Sequence, residues 1–368
     1  MYISKLEVTN VRNLRSLSVI PHRSTNFVIG PNGSGKTSLL ESISLLSNGR
    51  SFRTNDSKKL INQGADRFIV FSTVVSESTG SHRVGISKDI KGNTVAKLDG
   101  VIQSRVSALA KVLPILSVDT NSIELIEGGP ALRRSILDWG MFHVEHSFLD
   151  VWSQYRDALK QKNALLKSGR KSIRSEIHHW NSIIAQYGER LDLERIRYTD
   201  ELEIFINRIL NHYFKILDKV KIRYKNGWDK NQFPTLRECL DNRFENELQR
   251  NSCLYGPHRA DLDILWEGTL CKDICSRGQK KLVLYGVRLA QIALMVDRIG
   301  ITPILLLDDL PAELDVHNIN NVFHFLNEFP CQTFITAIND QLVTNDSLSV
   351  FEDHKMFHVE HGTFKETR

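Results

Sequence analysis

The residues with the clearest chemistry are Lys36 and Thr37, which close the run Gly30-Pro31-Asn32-Gly33-Ser34-Gly35-Lys36-Thr37. Its spacing, G-x-x-x-x-G-K-T, is that of a phosphate-binding loop. Gly30, Gly33 and Gly35 free the backbone to wrap tightly around an anion. The N–H groups at the start of a following helix then point at that anion, with the helix dipole behind them. Lys36 would reach the β and γ phosphates of a nucleotide, and the Thr37 hydroxyl would help hold Mg²⁺. Such a loop has to be held between a strand and a helix. Asn26-Phe27-Val28-Ile29 reads as a buried strand and Ser38-Leu39-Leu40-Glu41-Ser42-Ile43 as a helix, so both are in place.

The complementary acids come late in the chain. Ile304-Leu305-Leu306-Leu307-Asp308-Asp309 is an apolar strand ending in two carboxylates, a Walker B element. Asp308 would complete the magnesium site opposite Thr37, because Mg²⁺ takes hard oxygen ligands. Asp309 would orient or deprotonate an attacking water. Lys36 and Asp309 are therefore the expected catalytic residues, with ATP and Mg²⁺ as the expected cofactors.

Ser276-Arg277-Gly278-Gln279 opens a helix that leads into the acidic strand, and Ala312-Glu313-Leu314-Asp315 follows the acids. An S-x-G-Q signature one helix before Walker B, with an E-L-D loop after it, resembles the ABC-type ATPases. Ser276, Gly278, Gln279 and the helix start would form a second anion site. It lies too far from the P-loop of its own chain to share that nucleotide. It is expected to close on the γ-phosphate of a partner subunit, giving an ATP-sandwiched homodimer.

Length and composition bound what is built around these groups. The 368 residues, 41% of them hydrophobic, suffice for a full core and several subdomains. Lys and Arg number 48 against 43 acids, a net charge of +5 that permits a nucleic-acid partner without requiring one. No run approaches membrane-spanning length and the opening residues lack an apolar signal core, so the chain reads as cytoplasmic with no membrane partner. The five cysteines are odd in number and fit reduced thiols. Cys271 and Cys275 lie close, but their C-x-x-x-C spacing has no second ligand pair nearby, and ordinary packing is the expectation.

Strand-like stretches recur at 3–8, 17–20, 27–29, 68–75 and 84–87, with Asp99-Gly100 marking a turn. Arg12, just after the first of these, either comes back toward the nucleotide or stands as a surface arginine. Arg50 and Arg53, flanking Phe52, suit phosphates or a solvated helix end. From Phe148 onward apolar residues recur in steps of three and four, break at Ser168-Gly169, and resume from Ile173 to Ile216. This predicts an antiparallel pair of long helices. Around its tip stand Arg156, Lys160, Lys162, Lys167, Arg170, Lys171 and Arg174 against the single acid Asp157. Such a run is either a solvated face or a contact for a nucleic-acid backbone.

The predicted fold class is α/β: an ABC-type P-loop ATPase head with a Rad50-like first lobe and an inserted helical lobe bearing the arm. Residues 1–110 and 250–368 are expected to form the head, with P-loop, signature and Walker B, and 111–249 the helical lobe.

Four stretches narrow the resemblance. They are Gly49-Arg50-Ser51-Phe52-Arg53, Gly129-Pro130-Ala131-Leu132-Arg133-Arg134-Ser135-Ile136-Leu137-Asp138, Tyr255-Gly256-Pro257-His258-Arg259-Ala260-Asp261-Leu262 and Ser276-Arg277-Gly278-Gln279. Together they resemble the bacterial RecF family of recombination mediators, related to the SMC and Rad50 heads, from end to end of the chain. The resemblance implies ATP-dependent dimerisation on DNA and slow hydrolysis. It also implies work with RecO and RecR to load recombinase at gaps, and roles in the SOS response and at stalled forks. It places Arg12 near the nucleotide. The DNA is expected to be single-stranded and duplex, with junctions included. The alternative is the head of another SMC- or Rad50-like DNA-processing complex, although Ser168-Gly169-Arg170 stands where a C-x-x-C zinc hook would be. A transporter subunit is disfavoured by the helical arm.

The chain departs from the wider ABC pattern in several places. Asp309 replaces the usual Glu. Thr336-Ala337-Ile338-Asn339 stands where transporters carry a switch histidine, leaving Thr336 and Asn339 as alternatives for a polar sensor. No Q-loop glutamine is visible near 113–119. Finally, Met141-Phe142-His143-Val144-Glu145-His146 recurs as Met356-Phe357-His358-Val359-Glu360-His361. Two H-V-E-H copies invite a metal reading, but neither has a third fixed ligand or an H-E-x-x-H helix. Codons for the peptide can also form a DNA palindrome, and sequence leaves its protein role open.

Overall fold

The apolar strand leading into the glycine loop, Thr25–Ile29, is buried at every position. The computed structural model describes residues 1–54, 56–168, 173–339 and 354–367. In it this strand lies within a six-stranded sheet ordered 363–366, 354–360, 25–29, 333–337, 304–307, 115–118. All neighbours pair in parallel except the outermost hairpin 354–360/363–366. Thr25–Ile29, Ile304–Leu307 and Thr333–Ala337 are apolar-rich and buried throughout, as strands covered on both faces should be. Parallel pairing of Ala337 with Ile29 and of Leu307 with Ile335 brings the loop after Ile29 and the acids after Leu307 to the same edge, the carboxyl ends of the strands.

A second, antiparallel sheet is ordered 14–19, 2–11, 67–76, 80–89, 94–98, 101–103. Asp99 (φ 50°) and Gly100 (φ 84°) turn its last hairpin, with the positive φ at both positions that a two-residue hairpin favours. The P-loop helix Lys36–Asn48 has neighbours in both sheets and buries Leu39, Leu40, Ile43, Leu45 and Leu46 in one shared core with them. Gly49 ends it in the left-handed conformation, φ 63°.

The chain divides into two units, 1–122 with 212–215 and 295–368, and 123–211 with 216–294. The expected boundaries at 110 and 250 therefore move. Strand Ile115–Val118 pairs with Ile304–Leu307, which keeps it in the first unit. Strand Asp261–Trp266 pairs with Val220–Lys225, Lys280 bonds Glu127 at 2.8 Å, and the Gln291 amide donates to the Ile136 carbonyl, which draws 250–294 into the second. The signature belongs to the helical unit and not to the head.

In that second unit the two long helices are Phe148–Lys167 and Arg174–His212. Ser147 bonds Glu194 at one end, and Leu166 clusters with Ile173 and Ile177 at the other, as an antiparallel pair requires. Helix Pro130–Val144 passes so close that a Cβ on Gly140 would stand 1.7 Å from the Tyr198 hydroxyl. Lys162 departs from the basic run: it is fully buried against Glu247, Nζ to Oε2 2.5 Å. Arg156 lies over the Trp152 ring and Arg174 over Phe244, while Lys160 and Lys167 are exposed. Arg170 and Lys171 fall outside the described residues. All five cysteines are buried and free. Among the described residues no helix is long and apolar enough to cross a membrane.

Candidate nucleotide site

Gly33 (φ 78°) and Gly35 (φ 122°) take left-handed conformations that L side chains rarely adopt. Gly30 is needed for a different reason: its Cβ would fall 2.2 Å from the Val359 carbonyl oxygen on the neighbouring strand. Asn13 ties the loop from outside. Its amide donates to the Gly33 carbonyl at 3.2 Å, and its oxygen accepts from the Ser38 hydroxyl at 2.8 Å. The Gly362 N–H donates to the Ser34 carbonyl at 2.7 Å.

Lys36 is buried, and its Nζ donates to the carbonyls of Gly30 (2.6 Å) and Pro31 (3.0 Å). Burial pulls its pKa below the ordinary lysine value, opposed by the charges of Asp309 and Asp308. The Thr37 hydroxyl donates to both oxygens of Asp308, at 3.0 and 3.1 Å. Thr336 donates to Asp308 Oδ1 at 2.8 Å and accepts the Asp309 N–H at 2.7 Å. Of the two sensors left open by the sequence, Thr336 is thus bonded to both acids. Asp308 sits above the usual carboxylate range chiefly because it is desolvated, with the Thr336 and Thr37 hydrogen bonds and Arg53 opposing the rise. Asp309 holds a left-handed backbone, φ 53°, at the turn into 310–313.

Arg12 is not a free surface arginine. Its Nε and Nη2 donate to the two oxygens of Glu41 on the P-loop helix (3.0 and 2.8 Å), and Nη1 donates to the Lys59 carbonyl. Its own backbone is left-handed, φ 54°. Glu41 also accepts from Ser51 Oγ at 2.5 Å, and that oxygen accepts the N–H groups of Arg53 and Thr54. One buried carboxylate therefore positions Arg12 and the backbone that carries Arg53. Sequence reading missed both Glu41 and Asn13. Glu41 could have been suspected as an acid one turn after Thr37 on a helix otherwise lined with apolar residues and serines.

In the second unit Ser276 precedes helix Arg277–Ile299. Its hydroxyl accepts the Gln279 N–H (3.3 Å), while Gln279 Oε1 accepts the Ser276 N–H (2.9 Å), a capping box. The signature is thus also a helix start, with Gly278 in its first turn. The two remaining family-like stretches meet each other. Arg133 forks onto Asp261 (2.8 and 2.9 Å), Arg134 donates to the Ala260 carbonyl, and buried Arg195 joins Asp138 to the Pro257 carbonyl. These arginines hold the helical unit together.

A glycine loop and a paired acid at the carboxyl edge of a buried parallel sheet, with a signature capping turn on a helical unit, define the head of an ABC-type ATPase. Comparison with known proteins narrows that class. The family model described as RecF/RecN/SMC N terminal domain matches residues 2–363. The DNA replication and repair protein RecF of Coxiella burnetii (strain Dugway 5J108-111) is 37% identical over 361 residues, 98% of each chain. A solved structure described as the recombination mediator protein RecF-ATP in the RecFOR pathway superposes with a TM-score of 0.86 at 26% identity, covering 100% of this chain and 98% of that one. An SMC head bound to the C-winged helix domain of ScpA shares the fold, with a TM-score of 0.61 at 14% identity and coverage of 100% and 97%. The chain belongs to the bacterial RecF family.

Proposed function

We propose that the chain is an ATP-operated DNA-binding switch of recombinational repair and replication. The observation that carries this reading is the bonding of Thr37 to both oxygens of Asp308, beside a buried Lys36 and within a glycine cradle. The glycine loop from Gly30, with the N-terminus of the P-loop helix, grips the phosphates of ATP, and Lys36 supplies their fixed counter-charge. Thr37 and Asp308 offer the hard oxygens that suit Mg²⁺, which when bound neutralises phosphate charge. Asp309 orients the attacking water and takes its proton. Ser276, Gly278 and Gln279 of a second copy close on the same nucleotide, so that ATP builds a homodimer.

Relatives named for DNA replication and repair, and a RecF-ATP structure of the RecFOR pathway, support the biological assignment. On this reading the dimer holds single-stranded and duplex DNA at gaps or junctions in the cytoplasm. It works with RecO and RecR to load recombinase, serves the SOS response, and releases DNA when slow hydrolysis expires. Light scattering and filter binding test it, with no nucleotide, ADP or ATP. ATP is expected to drive a dimer that retains DNA, and Lys36→Ala and Ser276→Arg are each expected to abolish it. Equal retention by a nucleotide-free monomer would refute the switch.

A further inference from the structure

The repeated hexapeptide is absorbed by none of this, and its two copies fold differently. Met141–Val144 complete the helix Pro130–Val144, with Glu145 as its extended cap. The same residues at 356–360 form a strand, Phe357 paired with Val28 and His358 with Ile29. Packing accordingly constrains different positions. The first copy buries Met141, whereas the second buries Phe357 and Val359 with strand alternation. The third residue is used in opposite ways. His143 packs against the rings of Trp139 and Phe142, at 4.8 and 4.9 Å, and burial holds its pKa down at about 4. His358 is half-buried and faces Glu360 at 3.5 Å. Among the described residues no cluster of three or more His, Cys, Asp or Glu could hold a metal at either copy. The flanking residues, Trp139-Gly140 and Ser147-Phe148 against His354-Lys355 and Gly362-Thr363, show no wider duplication.

No demand of the folded protein is therefore common to the two copies. Their shared property lies in the genetic code. Met and His, Phe and Glu, and His and Val occupy mirror positions, and each pair has codons that are reverse complements. ATG-TTC-CAC-GTG-GAA-CAT encodes the peptide and reads identically on both strands. Such symmetry is what a dimeric protein with a two-fold axis recognises, one half-site for each subunit. We propose that the hexapeptide is set by its coding DNA, each copy being a palindromic duplex site for a dimeric DNA-binding protein that acts on the gene.

The codons test this directly. Both copies are expected to carry the nucleotides that complete the palindrome at their degenerate positions, and synonymous codons that break the symmetry in either copy would overturn the idea. Dimethyl sulfate footprinting in the native cells provides a second measurement. Protection symmetrical about the centre of each copy is expected, and it should vanish when both are recoded synonymously. No protection, or protection that survives recoding, would overturn the idea. At the protein level Glu145→Gln and Glu360→Gln, alone or combined, should shift the unfolding midpoint by no more than a few degrees and independently of each other. A larger joint effect would reveal a shared protein role.

Discussion

Thr336 donates its hydroxyl to Asp308 at 2.8 Å and accepts the backbone N–H of Asp309 at 2.7 Å, so one side chain from the adjacent parallel strand fixes both acids. Thr336→Val keeps the shape but removes both bonds. It should cost about 1–2 kcal/mol in urea denaturation, because a buried carboxylate loses a donor and an N–H loses its acceptor. ATP turnover should fall by more than ATP affinity. Thr336→Ser should keep most of both, and loss in Ser with Val unimpaired would show that the methyl group, not the hydroxyl, matters.

Glu41 is buried while Arg12 remains partly exposed, at 2% and 27% of their side-chain surface. Removing either partner is therefore costly: without the acid Arg12 and Ser51 lose their acceptor, and without the arginine a buried carboxylate loses its counter-ion. Glu41→Ala should destabilise by about 2–3 kcal/mol, since Arg12 and Ser51 both lose their acceptor. Arg12→Ala should cost a similar amount, about 2–3 kcal/mol, because it leaves Glu41 a buried carboxylate held only by the Ser51 bond. A double-mutant cycle in chemical denaturation should return a coupling of about 1 kcal/mol, and additive losses would deny the link.

These two networks mark where sequence reading stopped. The glycine loop, the acidic strand and the helical arm were legible because each is a local pattern: glycines at fixed offsets, an apolar run ending in acids, a period of three and four. Glu41, Asn13 and Thr336 act through partners distant in sequence. Nothing at Asn13 announces its role, the position of Glu41 on an apolar and serine-lined helix only hints at one, and Thr336 stands as one of two alternatives until its bonds to both acids are seen. Lys162 misled for the same reason, since a lysine in a basic run looks solvated until Glu247 is found against it. The domain boundary slipped because strand Asp261–Trp266 pairs with Val220–Lys225, a contact that chain order hides.

Burial pulls the pKa of His143 and of His258 down from 6.5 to about 4. A depressed histidine keeps the fold neutral at a site where the unfolded chain takes up a proton. The stability each contributes is thus complete above pH 6.5 and is lost as pH falls toward 4. Allowing for the exposure each ring retains, the loss should be on the order of 2 kcal/mol per histidine. His143→Leu should flatten the decline between pH 6.5 and 4.5 in urea titrations, and an unchanged slope would remove His143 from the account.

Asp309 is one methylene shorter than the glutamate common in ABC ATPases and starts from a left-handed backbone. If it is the base of a slow timer, Asp309→Asn should lower single-turnover hydrolysis by roughly 10²–10⁴ while ATP binding persists. Asp309→Glu should raise turnover and shorten the lifetime of the DNA-bound dimer. Unchanged or slower hydrolysis in the Glu variant would mean that reach is not what limits the rate.

Lys162 and Glu247 are both fully buried, at 2.5 Å, and Glu247 Oε1 also accepts the Leu254 N–H at 2.9 Å. Breaking such a pair leaves a charge in the core. Lys162→Met should therefore cost about 3–5 kcal/mol, whereas Lys162→Met with Glu247→Gln should recover most of it, because the apolar and amide groups need no counter-ion. The same double variant separates packing from DNA contact in the arm. It should retain DNA like the wild type, while replacement of the exposed Lys160 and Lys167 should weaken retention and reduce its salt dependence if the arm touches the phosphate backbone. Loss of DNA binding in the stable double variant would instead show that the buried pair holds the arm in the shape that binds DNA.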